Sequence, residues 1–237
     1  MPVFRLTDSI VFPRPDLAEP EGLLAIGGDL SPARLVSAYR LGIFPWYSQG
    51  DPILWWYTSP RLVIYPKNFR VPKRLARYMK KSVYTITMDE AFDQVIESCA
   101  SIRTVRGEGT WITAEMIDAY RTLHRMGYAH SVEYWQNGTL AGGLYGVALD
   151  RVFFGESMFS KVSNASKTAL VVLVSYLEKH DYQLIDCQMT TEHLLQFGAC
   201  EVTGESFTRQ LREFILTITP REKWKYDSSN EITRRNV

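Results

Sequence analysis

Between His130 and Gln188 the chain sets out an order of elements that few folds can satisfy. An alternating segment from His130 to Trp135 meets Asn137-Gly138, the pair favoured by a type I′ hairpin turn, and a second strand follows from Thr139 to Ala148. A turn at Asp150-Arg151 leads into a third strand, Val152 to Phe159, so the three form an antiparallel meander. Lys167 to Leu177 is apolar almost all round, which predicts a helix buried over most of its circumference, with Ser163 and Asn164 as cap candidates. A strand (Gln183 to Gln188), a short helix (Glu192 to Phe197, stopped by Gly198), a strand (Cys200 to Thr203) and a helix (Phe207 to Leu216) complete the pattern. The class is α+β, a mainly antiparallel sheet flanked by helices.

Two of these strands carry carboxylates where apolar residues are expected. Glu156 lies inside the aromatic run Phe153-Phe154-Gly155-Glu156-Ser157-Met158-Phe159, and Asp186 lies in Ile185-Asp186-Cys187-Gln188. Burying an unpartnered ionised carboxylate costs several kcal/mol, so each asks for a cation, a proton or a dense hydrogen-bond network. Residues two apart in a strand project to one face, which puts Asp186 and Gln188 together and Ile185 and Cys187 opposite. Either the acids form a structural network with an interior group such as Lys167 or a backbone amide, or they form a site that handles a cationic ligand.

The first 65 or so residues are rich in Pro and Gly and hold one clear helix, Ser31 to Leu41, with Ser31 as N-cap, Pro32 at the first position and Gly42 just past the end. Gly42-Ile43-Phe44-Pro45-Trp46 and Trp55-Trp56-Tyr57 put large aromatics into interrupted segments, which reads as a small N-terminal domain packed on a larger one. Further helices are expected near Asp89 to Cys99 and from Thr113, as cap, to Met126. The tail after about Tyr226 reads as disordered.

Charge is balanced, with 27 Lys and Arg against 26 Asp and Glu, which argues against nucleic-acid binding through a globally basic surface. Residues 67 to 81 depart from that balance. They hold Lys67, Arg70, Lys73, Arg74, Arg77, Lys80 and Lys81 with no acid among them. Val71, Leu75 and Met79 share one helical face, leaving Lys73, Arg74, Arg77, Lys80 and Lys81 to solvent, as a plain solvated face or a phosphate-binding one.

Cys99, Cys187 and Cys200 are odd in number and widely spaced, so they read as buried free thiols in a reducing compartment. The four histidines lack metal-ligand spacing and no Ser or Cys sits in a nucleophile motif, so neither a metal nor a covalent enzyme intermediate is expected. No signal-peptide pattern opens the chain and no run of about 18 apolar residues occurs, which predicts a cytoplasmic protein away from membranes. The loop Arg106-Gly107-Glu108-Gly109-Thr110-Trp111 matches no phosphate-loop pattern; it brings Trp111 to a helix start, where the ring could stack on a base or join the core.

Taken in order, Gly27-Gly28-Asp29-Leu30-Ser31, Gly42-Ile43-Phe44-Pro45-Trp46, Gly109-Thr110-Trp111-Ile112, Gly142-Gly143-Leu144-Tyr145-Gly146, Phe154-Gly155-Glu156-Ser157-Met158-Phe159-Ser160, Ala165-Ser166-Lys167 and Ile185-Asp186-Cys187-Gln188 resemble the leucyl/phenylalanyl-tRNA-protein transferase family. The match runs from about residue 10 to 215, and it departs at Trp55-Trp56-Tyr57-Thr58-Ser59-Pro60-Arg61, where the family has a shorter Trp-Trp-Ser-Pro stretch. The resemblance implies a small N-terminal domain (residues 1–65) on an acetyltransferase-like (GNAT-like) domain (residues 66–237). It implies transfer of Leu, Phe or less readily Met from aminoacyl-tRNA to proteins beginning with Arg or Lys, marking them for degradation, by a monomer without cofactor.

Carried over by motif, Trp46, Trp111 and Tyr120 would shape the site for the terminal adenosine and ester. Leu144, Phe153, Leu170, Leu173 and Ile185 would line the pocket for the amino-acid side chain. Glu156, Asp186 and Gln188 would hold the incoming N-terminus, with Asp186 orienting the ammonium or accepting its proton and Gln188 aiming the amine or the ester carbonyl. Lys73, Arg74, Arg77, Lys80 and Lys81 would meet the RNA backbone. Two other readings remain. An acyl-CoA-dependent N-acyltransferase needs a glycine-bearing pyrophosphate turn, whereas the residues from Lys161 to Lys167 contain no glycine. A non-catalytic adaptor for tRNA or N-termini needs the basic helix and the acids but no aminoacyl pocket.

Overall fold

The structure, a computed structural model, describes residues 3–105 and 110–226. The expected tail after 226 and the loop residues Arg106 to Gly109 lie outside these. In chain order the elements are β1 (Phe4–Leu6), β2 (Leu23–Gly27), α1 (Pro32–Arg40), β3 (Phe44–Pro45), β4 (Leu54–Trp56), β5 (Arg61–Ile64), α2 (Lys73–Lys81), β6 (Thr85–Met88), α3 (Phe92–Val105) and α4 (Ala114–Arg125). Then come β7 (Ala129–Gln136), β8 (Thr139–Leu149), β9 (Val152–Ser160), α5 (Ala165–Lys179), β10 (Leu184–Gln188), α6 (Glu192–Leu195), β11 (Cys200–Val202) and α7 (Gly204–Phe214). Two short 3-10 turns precede β2 and α2.

A seven-stranded sheet runs β11-β5-β10-β9-β8-β7-β6 and a four-stranded sheet runs β1-β2-β4-β3. In the larger sheet only the β9 and β10 pair is parallel, so the α+β class with a mainly antiparallel sheet is met. Alternate residues of its strands feed two separate cores. Val63, Tyr145 and Phe154 join α1, α3, α4, α7 and the small sheet on one face, while Leu62, Leu144 and Phe153 join α5 and Leu75 of α2 on the other. The sheet is therefore the middle layer, and the N-terminal aromatics Phe44 and Trp55 share a core with α4 and β9.

The meander forms as expected, with Asn137 and Gly138 both at positive φ in the first turn. Ser31 caps α1 by accepting from the Arg34 N–H, and Thr113 caps α4 through the Met116 N–H. Gly42, at φ +76°, turns the chain out of α1 in a conformation a side chain would strain. The helix α5 buries ten of its residues but starts earlier than expected. Asn164 stands at its N-cap in a left-handed conformation without capping through its side chain; the Ser160 hydroxyl accepts from the Ser166 N–H instead.

Sequence reading missed the short strands β1 to β6, and β5 lies inside the large sheet. The expectation of three buried cysteines also needs correction. Cys99 is buried, Cys187 is half-buried and Cys200 is exposed, because β11 is an edge strand.

A second group of buried acids was not foreseen. Asp89 accepts from His130 Nδ1 at 2.7 Å, the Ser131 N–H at 2.8 Å and the Trp224 N–H at 2.7 Å, and the Trp224 ring stacks on His130. Glu133, on β7, takes hydroxyl donors from Ser131 and Thr87. This network ties β6, β7 and the C-terminal segment together.

Candidate active site

Two β-bulges on neighbouring strands build the site. On β9, Tyr145 pairs with Ser157 and Gly146 with Gly155, so Glu156 is the extra residue. On β10, Asp186 pairs with Val63 and Gln188 with Leu62, which makes Cys187 the extra one. A bulge bends its strand and re-aims side chains. The β9 to β10 ladder spans Leu184 to Asp186 opposite Val152 to Phe154, so Glu156 and Gln188 face each other just past the last pair.

The Glu156 carboxylate accepts from the Tyr120 hydroxyl at 2.9 Å and from Gln188 Nε2 at 3.0 Å. Tyr120 is hydrogen-bonded in turn to Tyr39 of α1; its own proton is committed to Glu156, so Tyr39 donates. Burial pushes the Glu156 carboxyl up to about 7, with the Asp186 charge adding to that and the Tyr39, Tyr120 and Gln188 hydrogen bonds opposing it. Both tyrosines are raised well above their ordinary value, chiefly by burial and then by the charge of Glu156, so they remain donors.

Asp186 has a cation of its own. Arg61 of β5 grips it with two bonds, Nε to Oδ1 at 2.8 Å and Nη2 to Oδ2 at 2.7 Å, and both side chains are buried. The guanidinium also donates to the Gly42 carbonyl and the Thr58 hydroxyl, and lies between the rings of Phe44 and Phe207. Removing one member of such a buried pair costs about 3–5 kcal/mol. Asp186 Oδ1 further accepts the Gln188 N–H at 2.9 Å, while Gln188 holds a left-handed backbone at φ +61°. Asp186 and Gln188 thus do act together beside Glu156, but Arg61, 125 residues before Asp186, gave no signal as its partner. Its place in the aromatic-rich segment after Trp55 was the only hint.

The other expected residues fall into three groups. Leu144, Phe153, Leu170, Leu173 and Ile185 are brought together in one buried cluster on the opposite face of the sheet from Tyr120. Tyr120 is fully buried on Glu156, whereas Trp46 is 38% exposed and packs edge-on against Trp56. Trp111 is half-buried against the core that holds Tyr120; the Tyr47 hydroxyl reaches Thr113 at 3.4 Å, so the segments carrying Trp46 and Trp111 adjoin. Lys73, Arg74, Arg77, Lys80 and Lys81 all lie on α2 on the side away from Leu75, which is buried beneath.

A cleft of about 940 Å³ lies elsewhere, at the first turns of α7, lined by residues including Tyr57, Ser59, Thr208, Arg209 and Arg212. None of the expected site residues lines it. Among the described residues no three His, Cys, Asp or Glu side chains gather so as to hold a metal ion. Among them, too, no helix is long and apolar enough to cross a membrane.

A family model described as leucyl/phenylalanyl-tRNA protein transferase matches residues 63–212, and the model of that transferase's N-terminal domain matches residues 28–59. The chain belongs to the leucyl/phenylalanyl-tRNA protein transferase family. It is 61% identical over 225 residues to the leucyl/phenylalanyl-tRNA–protein transferase of Desulfotalea psychrophila (strain LSv54 / DSM 12343), covering 95% of this chain and 99% of that one. The protein of the same name from Desulfatibacillum aliphaticivorans is 52% identical over 230 residues, 97% of this chain and 99% of its own. As a member of the leucyl/phenylalanyl-tRNA protein transferase family the chain is an aminoacyltransferase. Among solved structures, an aminoglycoside acetyltransferase from a soil metagenome aligns with a TM-score of 0.38 at 7% identity, over 61% of this chain and 97% of that one. A likeness that loose supports no conclusion.

Proposed function

We propose that this chain moves Leu or Phe, and less readily Met, from aminoacyl-tRNA to the α-amine of proteins beginning with Arg or Lys, by direct aminolysis, marking them for degradation. The observation that carries this reading is the near full-length identity to named leucyl/phenylalanyl-tRNA–protein transferases. The reading also takes the protein as a cytoplasmic monomer of two domains, 1–65 and 66–237, the first lending its last strand β5 to the large sheet of the second, and working without cofactor or metal.

An aminoacyl ester is already reactive, so most of the acceleration comes from positioning. An α-amine of pKa about 8 is neutral in about a tenth of molecules at pH 7, and a carboxylate near 7 is matched to collect its proton. Glu156 is that group in this reading: it is buried, raised to about 7, and held between Tyr120 and Gln188. The amine nitrogen attacks the ester carbonyl carbon and the carbon–nitrogen bond forms. Glu156 takes the proton from nitrogen and returns it to the ribose oxygen as the ester carbon–oxygen bond breaks. Asp186 and Gln188 orient the amine as a unit. Leu144, Phe153, Leu170, Leu173 and Ile185 take the amino-acid side chain and exclude β-branched ones by shape, since a methylene alone is worth only about 1–3 kcal/mol. Trp46, Trp111 and Tyr120 shape the adenosine and ester site, and the α2 cations meet the RNA backbone.

The test is transfer from leucyl-, phenylalanyl- and isoleucyl-tRNA to peptides that differ only in an N-terminal Arg, Lys or Ala. Product is expected from the first two donors and the first two acceptors. Transfer from acetyl-CoA but not from leucyl-tRNA, or equal binding of charged and uncharged tRNA with no product, would reverse the reading.

A further inference from the structure

Both oxygens of Asp186 are already engaged within the protein. Arg61 holds both oxygens in a buried two-pronged pair, and Oδ1 also takes the Gln188 N–H. That last bond sits at the bulge, where Gln188 is left-handed, a conformation that non-glycine residues seldom keep without support. From there the Gln188 side chain reaches Glu156 Oε1 at 3.0 Å, and its carbonyl accepts from the Thr58 hydroxyl at 3.4 Å. Thr58 also takes a bond from Arg61. A continuous run of contacts therefore leads from β5 through Asp186 to the group that faces the reacting amine.

We infer that Arg61 is a positioning residue, which locks Asp186 as the anchor of the Gln188 backbone and so aims Gln188 Nε2 at Glu156, leaving Glu156 as the proton acceptor. The inference rests on the transferase reading above and deepens it. It assigns Asp186 to orientation and removes it from proton transfer.

Single-turnover transfer of leucine to an Arg-initiated peptide, at saturating peptide, tests this in Arg61→Met, Asp186→Asn and the double variant, each with its thermal unfolding. A misplacement of about 1 Å costs about 100-fold in rate, so each single variant is expected to lose about that much. The amide introduced by Asp186→Asn still offers a carbonyl to the Gln188 N–H once the unpaired guanidinium is gone, so the double variant is expected to return to within about tenfold of the wild type. A folded double variant no faster than Asp186→Asn overturns the inference. Arg61→Lys keeps the charge without the fork and decides the matter where the double variant does not fold. Its saturated rate is expected to fall with KM unchanged, and an unaltered rate overturns the inference. Hydrogen exchange at the Gln188 amide reads the same contacts without any reaction. Faster exchange in Arg61→Lys is expected, and unchanged exchange counts against the inference. Should the wild-type protein itself transfer no leucine, the transferase reading fails, and the exchange result still judges the contacts.

Discussion

Two buried carboxylates belong to one sheet, Asp89 just past β6 and Glu156 on β9, and their partners set them apart. At β6 and β7, Asp89 takes two backbone N–H groups and a histidine, which fasten it to neighbouring residues of β7 and to the C-terminal segment at Trp224. At β9 and β10, Glu156 takes side-chain donors, Tyr120 and Gln188, and it lies at a bulge just past the point where β9 stops pairing with β10. Burial of an acid is common to both, so burial does not identify chemistry. A carboxylate bonded to the backbone is staking the fold; one held by side chains beside a break in the ladder is free to change its protonation.

The sharpest way to break the contrast is Glu156→Gln. Loss of a general base lowers the saturated single-turnover rate by about 100- to 10,000-fold, with unfolding temperature held or raised. A rate near wild type would put Glu156 in the same class as Asp89. The converse is Asp89→Ala, which strands two buried N–H donors at about 1–3 kcal/mol each. Urea unfolding should report that loss, while transfer per folded molecule stays within about threefold.

The contrast sharpens with pH. Glu156 binds its proton more tightly folded, at about 7, than at its ordinary 4.5, so its effect on stability is absent below 4.5 and grows as a loss between 4.5 and 7. Denaturant midpoints measured across that window should fall for the wild type and flatten in Glu156→Gln. The smallest effect belongs to α2, whose cations have no carboxylate partner among the described residues. Lys80→Ala should lower the slope of log affinity for tRNA against log salt by just under about one, with the saturated rate unchanged.

Much of the frame was legible because local chemistry carried it. The Asn137-Gly138 turn, the alternation either side of it, the Ser31 and Thr113 caps and the outward-facing cations of α2 all depend on neighbours within a few residues. Glu156, Asp186 and Gln188 stood out as polar residues in apolar strands, and the structure does gather them. What could not be read depends on distant chain. The strands β1 to β5 are two to five residues long and broken by Pro and Gly, too short for a period to show. Arg61 resembles any surface arginine until β5 is laid beside β10. The bulges are invisible because an extra residue has no sequence mark, and Asp89 reads as a helix-start acid until Trp224 is folded over it.

Arg61 has one further consequence. Its guanidinium touches the Gly42 carbonyl in the turn after α1, a ring from β3, the loop before β5 and the acid on β10. The amino-terminal segment is therefore no detachable handle. Heating should melt the chain in a single calorimetric step, and a chain begun at residue 66 would carry an unpaired Asp186 in a sheet missing one of its inner strands.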